Sequence, residues 1–96
     1  MYAKPVKIFF DKDFEKDVKR LPKKIQNKLA DLLTVAQKNI FDPRLHVKSL
    51  KSPLSDFLSF RITRDYRVGF MFTPREDIQL LVADKRDKIY KRLARK

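Results

Sequence analysis

The chain has no cysteine and no tryptophan, and only one histidine and one glycine. Without cysteine there can be no disulfide framework, thiol nucleophile or thiolate ligand, and a cytoplasmic location is the expectation. One histidine cannot furnish a zinc site of the usual Cys/His composition, so no metal and no other cofactor is expected. No apolar run approaches the ~20 residues of a membrane span. The opening MYAKPVKIFF becomes charged too early for a signal peptide. No basic helix carries the broad apolar face of an interfacial anchor, so a membrane is not an expected partner. Acidic residues are also scarce: 12 Asp+Glu face 24 Lys+Arg, a net charge of +12. Self-repulsion on that scale costs stability. A polyanion is the natural partner, because each phosphate neutralised releases a counterion. An acidic protein segment is compatible as well.

What is present fits one domain over residues 1–96, with 43% hydrophobic residues to fill a modest core. From Pro5 to Phe10, the residues Val6, Ile8 and Phe10 recur at period two, which predicts a strand. Asp11 or Asp13 then caps a short helix carrying Phe14, Val18 and Leu21 on one stripe. Pro22 ends it and opens a second helix, to about Lys38, with Ile25, Leu29, Leu32, Leu33 and Ala36 along one face. Residues 39–56 read as an irregular polar stretch broken by Pro43 and Pro53.

Three alternating runs follow. Leu58, Phe60 and Ile62 form the first; Tyr66, Val68, Phe70 and Phe72 the second; Ile78, Leu80 and Val82 the third. Turns near Arg64-Asp65 and over 73–77 make this an antiparallel meander, and a basic helix of roughly 86–94 closes the chain. The expected architecture is α+β, in the order β-α-α-β-β-β-α. A helical hairpin covers one face of a small, mainly antiparallel sheet, since each layer needs a partner for its apolar side.

That placement directs Ser59, Arg61, Arg67, Gly69 and Met71 to the opposite face. Arg61 and Arg67 lie on neighbouring strands beside their shared turn. Lys85 and Arg86 come where the last strand ends, and Tyr90 shares a helix face with Arg86 one turn later. Lys48 and Lys51 come from the loop feeding the meander. Together they predict a positive concavity with one aromatic, suited to single-stranded RNA: cations track phosphates and a ring stacks on a base. Gly69, mid-strand, fits either the close approach of a ligand or a bulge or space-saving position.

At these residues the sequence resembles a known family. The segments FEKDVKRLPKKIQNKL, LHVKSLKS, FRITRDYRVGF and VADKRDKIYKRL, in that order and spacing, are similar to the RelE/ParE superfamily of bacterial toxins, over about residues 6–93. The resemblance implies the RelE-like fold. It also implies a ribosome-dependent endoribonuclease that cuts mRNA in the A site, needs no cofactor, and is silenced by a cognate antitoxin. The antitoxin would be an acidic, helical segment wrapping the toxin, and operator DNA would be bound only through the complex. It places the family's basic cluster on Arg61, Arg67 and Arg86, and the C-terminal tyrosine on Tyr90. Three features depart from the pattern. Asp84 stands where the family has glycine, Lys85 where many members have histidine, and Ser59 where a second lysine is found. The interval from Arg86 to Tyr90 is also short.

Metal-free RNA cleavage uses the 2′-OH as nucleophile. It needs a base for that hydroxyl, positive charge on the pentavalent phosphate and an acid for the leaving 5′-oxygen. Arg61 and Arg67 are assigned to the phosphate and Arg86 to stabilising charge or proton donation. Tyr90 is assigned to stacking or orienting the nucleophile. Tyr90 or Lys85 is a candidate base if a dense positive field lowers its pKa, and His46 is a further candidate from the loop. Lys48, Lys51, Arg64, Lys23, Lys24 and Lys28 are expected to hold RNA or ribosome. Two other readings stay open: a ParE-like DNA gyrase inhibitor, and a catalytically weak nucleic-acid-binding relative, which Ser59 and Asp84 would favour.

Overall fold

A computed structural model describes residues 6–96; Pro5, the expected start of the first strand, lies outside the described residues. The elements are β1 (Ile8–Phe10), α1 (Lys12–Arg20), α2 (Lys23–Lys38), a 3-10 turn (Pro43–Leu45), β2 (Lys48–Ser49), β3 (Leu58–Arg61), β4 (Tyr66–Phe72), β5 (Ile78–Lys85) and α3 (Arg86–Leu93). The α+β architecture and its order are as expected, with the two-residue β2 added inside the stretch read as irregular. The sheet order is β1-β5-β4-β3-β2. β3, β4 and β5 form the antiparallel meander, and β1 lies parallel to β5. No helix among the described residues is long and apolar enough to cross a membrane.

The helical stripes drive the packing. Phe14, Leu29, Leu32 and Ala36 of the hairpin bury against Phe60, Val68, Phe70, Ile78 and Leu80 of the sheet. Each such large side chain contributes about 1.5–3 kcal/mol by leaving water. Phe60 and Phe70 pack with ring centroids 5.9 Å apart.

The capping expectation for α1 is not met. Asp11 occupies the N-cap position without a side-chain cap bond. Its carboxylate, with that of Asp13, accepts from Lys96 Nζ at 2.6 Å each, tying the C-terminus to the start of α1.

The parity of β5 is also corrected. Phe70 pairs with Leu80 but Gly69 pairs with Val82, so Leu81 is a bulge residue. Beyond it the faces exchange: Ala83 joins the helix-side core, and Val82 turns to the other side. An extra residue on one strand has this effect because side chains alternate at period two.

The face away from the hairpin is not open throughout. Leu50, Leu81, Val82, Ile89 and Leu93 form a second small core there, with Leu54, Phe57 and Met71 packed against it. α3 lies over this face, and Gly69 makes room for it. A Cβ on Gly69 would stand 2.9 and 3.0 Å from the Leu93 methyls and 3.0 Å from Val82 Cγ2. Gly69 is therefore a space-saving position beside a bulge, and what approaches it is the protein's own helix.

Candidate nucleic-acid interface

The meander register sets Arg61 directly opposite Arg67 and Ser59 opposite Gly69. Directly paired residues share a face with Cβ atoms about 4.5–5.5 Å apart, a spacing at which like charges repel. Arg67 is nevertheless buried, with 6% of its surface exposed, and Ser59 is fully buried. The Nε atoms of Arg61 and Arg67 and the Ser59 hydroxyl are enclosed, and among the described residues none of the three has a hydrogen-bond partner. Burial, then the charge of Arg61 and finally that of Arg86, hold the Arg67 pKa below the ordinary arginine range, with Tyr90 acting in the opposite sense. A guanidinium stays protonated through such a shift. The result is a fixed positive charge with unused donors, in a setting of reduced dielectric where an anion would be held strongly.

The remaining expected site residues are distributed around this pair. Arg86 opens α3, where its backbone N–H donates to Asp65 O at 2.8 Å, anchoring the helix start to the β3–β4 turn. Its side chain lines a cleft of about 640 Å³ with Arg64, Asp65, Tyr66, Lys85 and Asp87. One turn on, Tyr90 is 39% exposed. It borders a second cleft of about 280 Å³, walled by Lys48 and Lys51 and floored by Leu50 and Leu54. The structure thus sets Arg61 opposite Arg67, with Arg86 near enough for its charge to act on Arg67, and places Tyr90 in one cleft with the two loop lysines.

Lys85 lines the cleft with Arg86 but does not face Arg67. It is paired with Tyr66, whose ring packs on the helix-side core, so it sits one residue out of phase with Arg67. His46 is exposed in the left-handed C-cap of the 3-10 turn (φ 49°), and it is not among the groups whose charge reaches Arg67. Lys23, Lys24 and Lys28 are exposed on α2, in the layer on the other side of the sheet.

Sequence reasoning overlooked Arg92. Its Nη1 donates to Asp17 Oδ2 at 2.8 Å and to Asp84 Oδ2 at 3.2 Å. Asp17, 4% exposed, also accepts the Ala83 N–H at 2.9 Å along the stretch of the β5 edge that β1 leaves uncovered. The only signal for this was an acidic residue on the apolar stripe of the first helix.

No protein-family model matches the sequence, and neither does any curated protein sequence. Solved structures do match. The RelBE2 toxin–antitoxin complex of Mycobacterium tuberculosis aligns with a TM-score of 0.71 at 20% identity, covering 85% of this chain and 99% of that one. YafQ of Escherichia coli gives 0.70 at 18% identity, with 88% and 98% covered. The RelB–RelE antitoxin–toxin complex of Methanococcus jannaschii gives 0.71 at 23%, with 86% and 95% covered. With two N-terminal helices packed on a five-stranded mixed sheet and a short C-terminal helix, the chain has the fold of the RelE-like toxins.

Proposed function

We propose that this protein is the toxin of a toxin–antitoxin pair and a ribosome-dependent, metal-independent endoribonuclease of the RelE type. One observation carries the reading: two opposed arginines with enclosed, unpartnered Nε donors on the face away from the hairpin. Enclosed donors without partners cost stability, and a phosphodiester would satisfy both.

On this reading Arg61 and Arg67 hold the scissile phosphate and bind its charge more tightly as the pentavalent state forms. Preorganised donors of this kind are worth about 10²–10³ in rate each. A base takes the 2′-hydroxyl proton as the 2′-oxygen attacks phosphorus, the bond to the 5′-oxygen breaks, and that oxygen takes a proton from Arg86 or water, giving a 2′,3′-cyclic phosphate and a free 5′-hydroxyl. Arg86 adds positive charge at the rim. Tyr90 stacks on a base or orients the attacking hydroxyl, and Lys48 and Lys51 follow the backbone past it. Tyr90 is preferred as the base over Lys85, which pairs with Tyr66 out of phase with Arg67, and over His46, which is exposed at the end of the 3-10 turn.

The antitoxin is the expected protein partner. An apolar cleft of about 290 Å³ between α1 and α2, lined by Phe10, Phe14, Val18, Leu29 and Leu33, supports an amphipathic acidic segment docking there.

The test uses purified protein and programmed ribosomes, with mRNA ends mapped. Wild type should cut within the A-site codon, and Arg67→Ala and Arg86→Ala should lose the cut. Absence of ribosome-dependent cutting by wild type contradicts the reading, and inhibition of DNA supercoiling in its place would favour the gyrase alternative.

A further inference from the structure

The bulge at Leu81 has a consequence for Arg67. Continued unbroken from Phe70–Leu80, the ladder would set Ala83 opposite Arg67; with one extra residue it sets Asp84 there. A carboxylate directly across from an arginine, on the same face of an antiparallel pair, is the normal arrangement for an ion pair. An Asp84–Arg67 pair would fill the donors that a phosphate needs.

No such pair forms. Both Asp84 oxygens are engaged elsewhere: Oδ1 accepts the Lys85 backbone N–H at 2.7 Å, and Oδ2 accepts from Arg92 at 3.2 Å. Arg92 cannot readily release it, because the same Nη1 is anchored on Asp17 at 2.8 Å, and Asp17 is itself fixed by the Ala83 N–H. The anchor on α1, the cation on α3 and the restrained acid on β5 form one chain of contacts around the sheet edge.

We propose that Arg92 is a positioning residue that holds the Asp84 carboxylate away from Arg67, keeping the Arg61–Arg67 pair open to a phosphate. The inference concerns the site of the proposed function, and so rests on that reading for its biological meaning. Its physical content stands apart: removal of Arg92 hands Asp84 to Arg67.

The test reads the Arg67 Nε–H resonance by NMR, together with affinity for a short single-stranded oligonucleotide with 2′-O-methyl sugars, which cannot be cleaved. In Arg92→Gln the Nε–H resonance should move downfield as the new ion pair forms. Affinity should fall at least about tenfold, since the phosphate must displace a charge-assisted bond. Adding Asp84→Asn should return both readouts to wild-type values. A purely structural role for Arg92 would leave the double variant as impaired as the single one, and that result, or an unmoved resonance in Arg92→Gln, overturns the proposal.

Should Arg92→Gln fail to fold, Asp84→Asn alone decides. The resonance and the affinity should match wild type, whereas a gain of about tenfold would mean that Asp84 already neutralises Arg67. If wild type binds no oligonucleotide, the proposed function fails while the resonance still tests the role of Arg92.

Discussion

Two arginines are drawn out of water at the same end of the sheet, and the protein treats them in opposite ways. Arg92 keeps 31% of its side chain exposed and still receives two carboxylates, Asp17 and Asp84. Burial alone would lower its pKa; the bonds and charges of those two acids raise it instead. Arg67 is more deeply buried and receives none, and its pKa is lowered by burial and by Arg61. A charge that serves structure is paired. On the proposed reading, the charge left bare is held for a ligand, and its cost falls on stability.

The largest expected effect breaks this contrast at Arg67. Arg67→Met should reduce cleavage by at least about 100-fold, the scale for losing one preorganised donor. It should also stabilise the fold, because an unpaired buried charge gives way to an apolar side chain. A gain of ~1 kcal/mol would raise Tm by about 4–8 °C in a domain of this size. The same substitution at Arg92 should act in the reverse sense. Arg92→Met leaves Asp17 buried with one partner fewer, at a cost of about 2 kcal/mol, below the ~3–5 of a fully buried pair because Arg92 is partly in water. Thermal unfolding of the two variants side by side checks both signs.

A smaller effect lies between the two arginines, where α3 rests on the sheet. Gly69→Ala places a methyl against Leu93 and Val82. Val82 is stiff at χ1 and Leu93 is packed, so about 1–2 kcal/mol should be lost. Leu93→Ala in the same chain should recover part of the clash, as a double-mutant cycle would measure.

The smallest effect is at the C-terminus. A hydrogen bond from Lys96, then its charge, lowers the Asp13 pKa from its ordinary 3.8. A depressed carboxylate contributes fully above that ordinary value and loses its contribution as pH falls through the lower folded value. The tail contact should therefore persist at pH 4 and release only in stronger acid. An NMR titration of Lys96 follows it, and high salt should weaken it.

How much of this the sequence disclosed depends on whether one face or two were apolar. The stripes on α1 and α2 and the alternation in β3 and β4 each have a polar side, and their orientation follows from the pattern. β5 does not: Ile78–Ala83 is apolar at nearly every position, so the bulge at Leu81 and the exchange of faces beyond it left no mark. The opposition of Arg61 and Arg67 follows from a turn that the sequence placed well. Lys85 was placed among the site residues by its position at the strand end and by the family resemblance, and the shifted register puts it opposite Tyr66. Arg92 was one basic residue of many on a basic helix. Its partner Asp17 is 75 residues away along the chain, and no local pattern connects them.

The central claim is that Arg61 and Arg67 are the seat of an RNA phosphate. It is tested most directly by titrating the protein with the 2′-O-methyl oligonucleotide while observing all arginine Nε–H resonances. The Arg61 and Arg67 signals should move downfield together and first, as two unpartnered donors gain one anion, with Arg92 unmoved. Shifts confined to the exposed lysines and arginines, with Arg61 and Arg67 silent at saturation, would contradict it.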